Sequence, residues 1–225
     1  MRARPLLLAV LLTGTLAAQE VQQHGLVFER WVRTTFFPGY VPASYTQRWD
    51  ITAAVNKDHG GVPVNPKAAK YGTPVDLGDA LRQYEIQEPF LLVVGFWEQN
   101  GETKRLVRIV APLVTSEQWR ALWSPVTMAD LQRLDQLVKD PALPIEEARR
   151  LALRMKNSPP FTQAIIQVNP KIDAHQRRLQ CSLRFADLFR HLVPAASPAP
   201  QERPALWGVE FPGPIASPPR GSPAN

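Results

Sequence analysis

Arg48-Trp49-Asp50-Ile51 and Val62-Pro63-Val64-Asn65-Pro66-Lys67 are the stretches on which the reading of this chain turns. Side chains of a β-strand alternate between faces, so Asn65 and Lys67 share one face. Tyr45 to Val55 reads as a strand, Asn56-Lys57-Asp58-His59-Gly60-Gly61 as a polar loop, and the residues from Val62 as a second strand. A hairpin with this long connection brings Asp50 beside Asn65 and Lys67. An acid, a neutral oxygen donor and a lysine then converge. Pro63 and Pro66 make the second strand short or irregular, because proline donates nothing to a ladder.

The flanks give this pair a scaffold. Residues 21–37 carry Phe28, Trp31, Val32 and Phe36 at helical spacing and stop at Pro38-Gly39, with Glu29 in line with Val32 and Arg33. Asp76 to Tyr84 predicts a helical turn. Phe90-Leu91-Leu92-Val93-Val94-Gly95-Phe96-Trp97 is apolar on both faces, as a buried central strand is, and Asn100-Gly101 reverses it into Leu106–Val114. Helices follow: one capped by Ser116 and running to Trp123, one with a Thr127/Asp130 capping box, and one opened by Pro144. Phe161 to Val168 reads as a strand, and Gln176 to Leu192 as either strand or helix.

Composition sets the limits. At 225 residues and 44% hydrophobic content the chain supports one core. Residues 1–18 have the layout of a secretory signal: Arg2 and Arg4, then Leu6 to Leu12, then Thr15 and Ala17 at small-residue positions. That apolar run is too short to span a bilayer. The expected organisation is a signal at 1–18, an α/β domain at 19–193, and a disordered Pro/Ala/Ser-rich tail at 194–225. A genuine signal places the mature protein outside the cytoplasm, without a membrane anchor; a misassigned start places it inside. The formal charge of +6 falls to +4 without the two leader arginines, a surplus that permits nucleic acid without demanding it. Cys181 is the single cysteine, so no intrachain disulfide forms. His24, His59, His175 and His191 lack metal-ligand spacing, and neither a Gly-rich phosphate loop nor a G-x-S-x-G elbow is present.

The order of helix, three strands, helices, strand and a final element resembles the PD-(D/E)XK, or restriction-endonuclease-like, nuclease superfamily. The likeness covers residues 21–115 by motif and reaches about residue 192 as a succession of elements. It implies a mixed central sheet flanked by helices and Mg²⁺-dependent hydrolysis of DNA phosphodiesters. Matched residue by residue, Glu29 is the acid of the first helix and Asp50 the aspartate of a core strand. Asn65 and Lys67 stand in the acid-x-lysine position. The resemblance makes all four catalytic, with Glu29, Asp50 and Asn65 as metal ligands. Two departures stand out. Asn65 brings an amide where the superfamily has a carboxylate, and Pro66 fills a usually apolar position. Asp76, Asp79 or Glu98 is a candidate for the missing acid.

Lys70 is a candidate phosphate contact. The basic cluster Lys171, His175, Arg177, Arg178, Arg184 and Arg190 suits either backbone contact, with Arg177 and Arg178 foremost, or a solvated face. A catalytically degenerate module that binds nucleic acid or protein stays open, as does an extracytoplasmic domain with no nucleic-acid role. A homodimer is equally open.

Overall fold

The computed structural model describes residues 27–43 and 48–216. The expected signal, His24 and the start of the first expected strand lie outside them. Helix α1 occupies 27–36. The other elements are β1 (Val64–Lys70), β2 (Val75–Asp79), α2 (Ala80–Tyr84), β3 (Phe90–Asn100), β4 (Thr103–Val110), β5 (Leu113–Val114), α3 (Ser116–Trp123), α4 (Met128–Lys139), α5 (Ile145–Lys156), β6 (Gln167–Ile172), β7 (Arg177–Leu183), α6 (Phe185–His191), β8 (Ala205–Leu206), β9 (Val209–Glu210) and β10 (Ile215–Ala216). The fold is mixed α/β. One sheet has the order β1-β3-β4-β10, with β5 also on β3, and a second has the order β2-β7-β6.

The central strand is the one the sequence marks. Phe90, Leu92, Val94 and Phe96 of β3 enter one core cluster, shared with β2, β7 and helices α3 to α6. Leu91 and Val93 enter a second, shared with α1 and the C-terminal segment. A strand covered on both faces has no solvent side, which is why the run is apolar throughout.

The expected hairpin is replaced by a single bridge. Ile51 N donates to Val64 O at 3.1 Å and Val64 N to Ile51 O at 2.9 Å. The next such antiparallel pair would join Trp49 to Pro66, whose nitrogen carries no hydrogen, so the ladder ends. β1 instead pairs in parallel with β3, Val64 against Leu91 through Lys70 against Trp97. Trp49 then turns into the first core, with its Nε1 donating to Glu88 Oε1 at 2.6 Å, while Ile51 enters the second core. A regular strand would send residues 49 and 51 to the same side.

Four other expectations shift. Strand β2 precedes the helical turn expected from Asp76, and Asp79 caps it by accepting from Arg82 N at 2.9 Å. Thr115, not Ser116, caps α3, in a box with Gln118. The strand expected at Phe161 begins only at Gln167, because Ile165 N and Ile166 N both donate to Leu122 O at 3.0 Å and hold that segment as a turn. The segment from Gln176 is both things: β7 up to Leu183, then α6. The Thr127/Asp130 box forms as expected, and Pro144 stands at the cap of α5.

The largest correction concerns the C-terminal segment. Up to residue 216 it is folded against the domain rather than disordered. β10 pairs with β4, Gln201 N donates to Val107 O at 2.6 Å, and Leu206 is buried. Phe211 packs edge-on to Trp31 at 5.0 Å, and Trp207 stacks on His59 at 3.6 Å. Single aromatic anchors of this kind leave no periodicity to read. Residues 217–225 lie outside the description. No helix among the described residues is long and apolar enough to cross a membrane.

Helix α1 is therefore held from two sides, by the C-terminal aromatics and by β3. At β3 the ring of Phe28 lies over Gly95, where an added Cβ would come within 2.7 Å of it. Gly95→Ala is expected to cost about 1–3 kcal/mol by overpacking. Thermal denaturation measures that loss, and an unchanged melting temperature would contradict the contact.

Candidate active site

Asp50 and Asn65 are brought together by the bridge beside them. With Ile51 and Val64 directed into the second core, their neighbours face the other way. Asn65, Lys67 and the buried Ala69 then share the face of β1 directed at the first core. At the mouth of that core lies a cleft of about 510 Å³. Glu29 and Arg33 of α1 line one wall, Arg48 and Asp50 a second, and Asn65 and Lys67 the floor. Leu77, Gly78 and Asp79 of β2, Arg82 and Gln83 of α2, and Arg178 and Gln180 of β7 complete it.

All four residues matched in sequence thus reach one cleft. Lys67 Nζ lies 3.6 Å from Asp50 Oδ2, with side-chain exposures of 25% and 32%. At that distance and exposure the pair adds little stability, roughly 1 kcal/mol or less. Arg33 approaches Glu29 to only 4.0 Å. Burial pushes the Glu29 carboxyl above its usual range, the negative charge of Asp50 pushes it further, and Lys67 and Arg33 pull it back. The charge of Asp50 thus opposes ionisation of Glu29, an arrangement a cation between them would relieve. Asn65 is 3% exposed and supplies an amide oxygen.

Charge in the cleft is unevenly divided. Arg33, Arg48, Lys67, Arg82 and Arg178 line it with Glu29, Asp50 and Asp79, five cations to three acids, with Arg48 also paired to Glu85 at 3.4 Å. Asp79 offers at most one free oxygen, since Oδ1 caps α2. Asp76 and Glu98 do not line the cleft; Asp76 Oδ1 accepts from Gly78 N at 2.9 Å. Among the described residues, no three His, Cys, Asp or Glu side chains gather as a metal-binding group. The available donor set is two carboxylates and one amide.

Of the expected phosphate contacts, Arg178 lines the cleft and two others do not. Lys70 sits at the exposed end of β1. Arg177 turns away and donates to the carbonyls of Asp140 and Leu143, so it clamps the α4–α5 loop. Arg82, Gln83 and Gln180 were not singled out in the sequence, and Arg33 only as a neighbour of Glu29 on α1. Gln83 is 7% exposed, Trp119 Nε1 holds its carbonyl at 2.7 Å, and its Oε1 has no donor among the described residues. A buried amide oxygen without a partner is uncommon and points to a ligand or water in the cleft.

Two stability measurements test this geometry. Because the Glu29 pKa is raised on folding, its contribution is full below the ordinary value of 4.5 and is lost as pH rises through the folded value. Glu29→Gln is therefore expected to melt above the wild type at pH 7 to 8, with the gap closing in acid; a gap independent of pH would exclude the raised pKa. Gln83→Leu, which removes the unpaired oxygen, is expected to change stability by less than about 1 kcal/mol. A larger loss in chemical denaturation would mean the amide has a structural partner. Comparison with protein families, with curated proteins and with solved structures found no match.

Proposed function

We propose that this cleft hydrolyses phosphodiester bonds of DNA in the manner of the PD-(D/E)XK nucleases, within a restriction-endonuclease-like arrangement and with Mg²⁺ as cofactor. The observation that carries the reading is the convergence of Glu29, Asp50, Asn65 and Lys67, from a helix, a bridge and a strand, on one cationic cleft. Glu29, Asp50 and the Asn65 amide oxygen would hold the metal, since hard divalent ions take oxygen ligands. Bound there, Mg²⁺ supplies Lewis-acid polarisation of a phosphoryl oxygen and acidifies a water.

The chain's own groups do the rest. Lys67, beside Asp50, presents a donor to the negative charge that develops on the phosphate. Arg33, Arg48, Arg82 and Arg178 attract and orient phosphate oxygens, with arginine's fork suited to two at once. Asn65 leaves the donor set one charge short of the superfamily pattern, so a high metal requirement follows. Export through the N-terminal signal fits a scavenging or toxic nuclease better than one acting on DNA inside its own cell.

Asn65, with the lack of a three-acid cluster among the described residues, favours a second reading: a nuclease-like module that binds nucleic acid without cutting. Plasmid DNA incubated with the purified protein in Mg²⁺ separates the two. Cleavage is expected, with Lys67→Ala and Asp50→Asn each slower by about 10²–10³-fold. No cutting at any metal concentration, with binding retained in Ca²⁺, selects the second reading. Asn65→Asp is expected to lower the Mg²⁺ concentration for half-maximal rate, read from a metal titration; an unchanged requirement removes Asn65 from the metal site.

A further inference from the structure

We propose that the solvent face of the β2-β7-β6 sheet is a track for a nucleic-acid backbone, leading from the cleft to a second anion-holding recess at Lys156 and Arg184. This rests on the nucleic-acid reading of the cleft but not on its hydrolytic chemistry. Leu179, Cys181 and Leu183 of β7 and Val168 and Ile172 of β6 are directed into the core. Alternation therefore places Arg178 and Gln180 on the outer face beside Gln167, Asn169 and Lys171, while Ser182, on the same side of β7, is buried and accepts from Asn169 Nδ2 at 2.8 Å.

The register pairs these residues directly. Lys171 stands opposite Arg178, Asn169 opposite Gln180, and Gln167 opposite Ser182. Like charges directly across an antiparallel pair destabilise it, so Lys171 against Arg178 has a cost that an anion would offset. Both are exposed. Arg178 and Gln180 also line the cleft, which makes the face continuous with it. The outer side of β2 sets its border: Asp76 registers with Ser182 and is engaged by Gly78 N.

The far end of the track is a recess of about 160 Å³, on the scale of a single phosphate group. Lys156, Asn157, Thr162, Gln167 and Arg184 supply its polar lining, and none of its lining residues is acidic. Arg184 meets Asp187 at 3.8 Å with a side chain 61% exposed, a weak pair. Burial holds the Lys156 ammonium below its usual range, and Lys171 lowers it further. From Lys171 to Gln167 the strand advances roughly 13 Å, at about 3.3 Å per residue. That is roughly four nucleotides at about 3.4 Å of rise per strand residue. Between the cations stand the amides of Gln167, Asn169 and Gln180, groups that bond phosphate and sugar without reading base sequence.

Fluorescence anisotropy of labelled DNA in Ca²⁺, across a salt series, tests the track on the full chain. Lys171→Ala, an exposed change, and Lys156→Gln are each expected to weaken binding by roughly tenfold and to lower the salt slope by about one unit, as loss of one phosphate contact does. Hydrolysis of a small phosphodiester such as bis(p-nitrophenyl) phosphate should be unaffected by either. Wild-type affinity and slope in both variants, or no DNA binding by the wild type, would overturn the proposal. A protein that binds with this dependence yet never cuts in Mg²⁺ overturns the hydrolytic reading and supports the track. One that cuts DNA while both variants bind as wild type overturns the track alone.

Discussion

The paired hydrogen bonds between Ile51 and Val64 are the constraint on which the rest depends. Each contributes a net of only about 0.5–1.5 kcal/mol. Burying the two side chains in the second core contributes more, on the order of 1.5–3 kcal/mol each. Burial therefore sets the orientation, and the hydrogen bonds set the register. Together they oblige Asp50 and Asn65 to face away from that core, and Pro66 prevents the pairing from spreading into a sheet. The segment around Asp50 is consequently free to turn, sending Trp49 to one core and Ile51 to the other.

Helix α1 completes the arrangement by a different means. Phe28 is seated on Gly95, while Trp31 and Phe36 are covered by Phe211 and Trp207 from the C-terminal segment. Glu29, next to Phe28 in the chain, is held in the cleft it shares with Asp50 by apolar contacts on other faces of the helix. The cleft is thus organised by packing and opposed by electrostatics: Glu29 is held where burial and the charge of Asp50 disfavour its ionised form. Gln83, buried with an unpaired oxygen, adds to this cost. Sites that bind ions or polar ligands commonly carry such local penalties, compensated by a core elsewhere.

Several features were legible because they depend on local pattern. The double-sided run of β3 is visible as an unbroken apolar stretch, the capping box of α4 as Thr127 and Asp130, and the α5 start as Pro144. Glu29, Asp50, Asn65 and Lys67 were legible as candidates through their resemblance to the superfamily's motif, in the setting of a preceding helix and a following apolar strand. The parallel partner of β1 was not legible, since parallel pairing joins segments far apart and leaves no turn signal between them. Nor was the ordered C-terminal segment, where Leu206, Trp207 and Phe211 act as separate anchors in a proline-rich background. Arg177 and Arg178 show the same limit in two adjacent residues. Both are basic, yet strand alternation sends one to clamp a loop and the other to the cleft.

By itself the sequence determined the mixed α/β class, the buried central strand, the starts of α4 and α5, and the four residues of the candidate site. Hydrophobic period, proline and capping chemistry act over a few residues and are written there. Only the tertiary structure decided that those four residues share a cleft, that Arg82 and Gln83 of α2 and Arg178 of β7 join them, and that the C-terminal segment braces α1. These follow from burial and long-range pairing, where the partner of each residue is chosen by shape and solvent exclusion rather than by its neighbours in the chain.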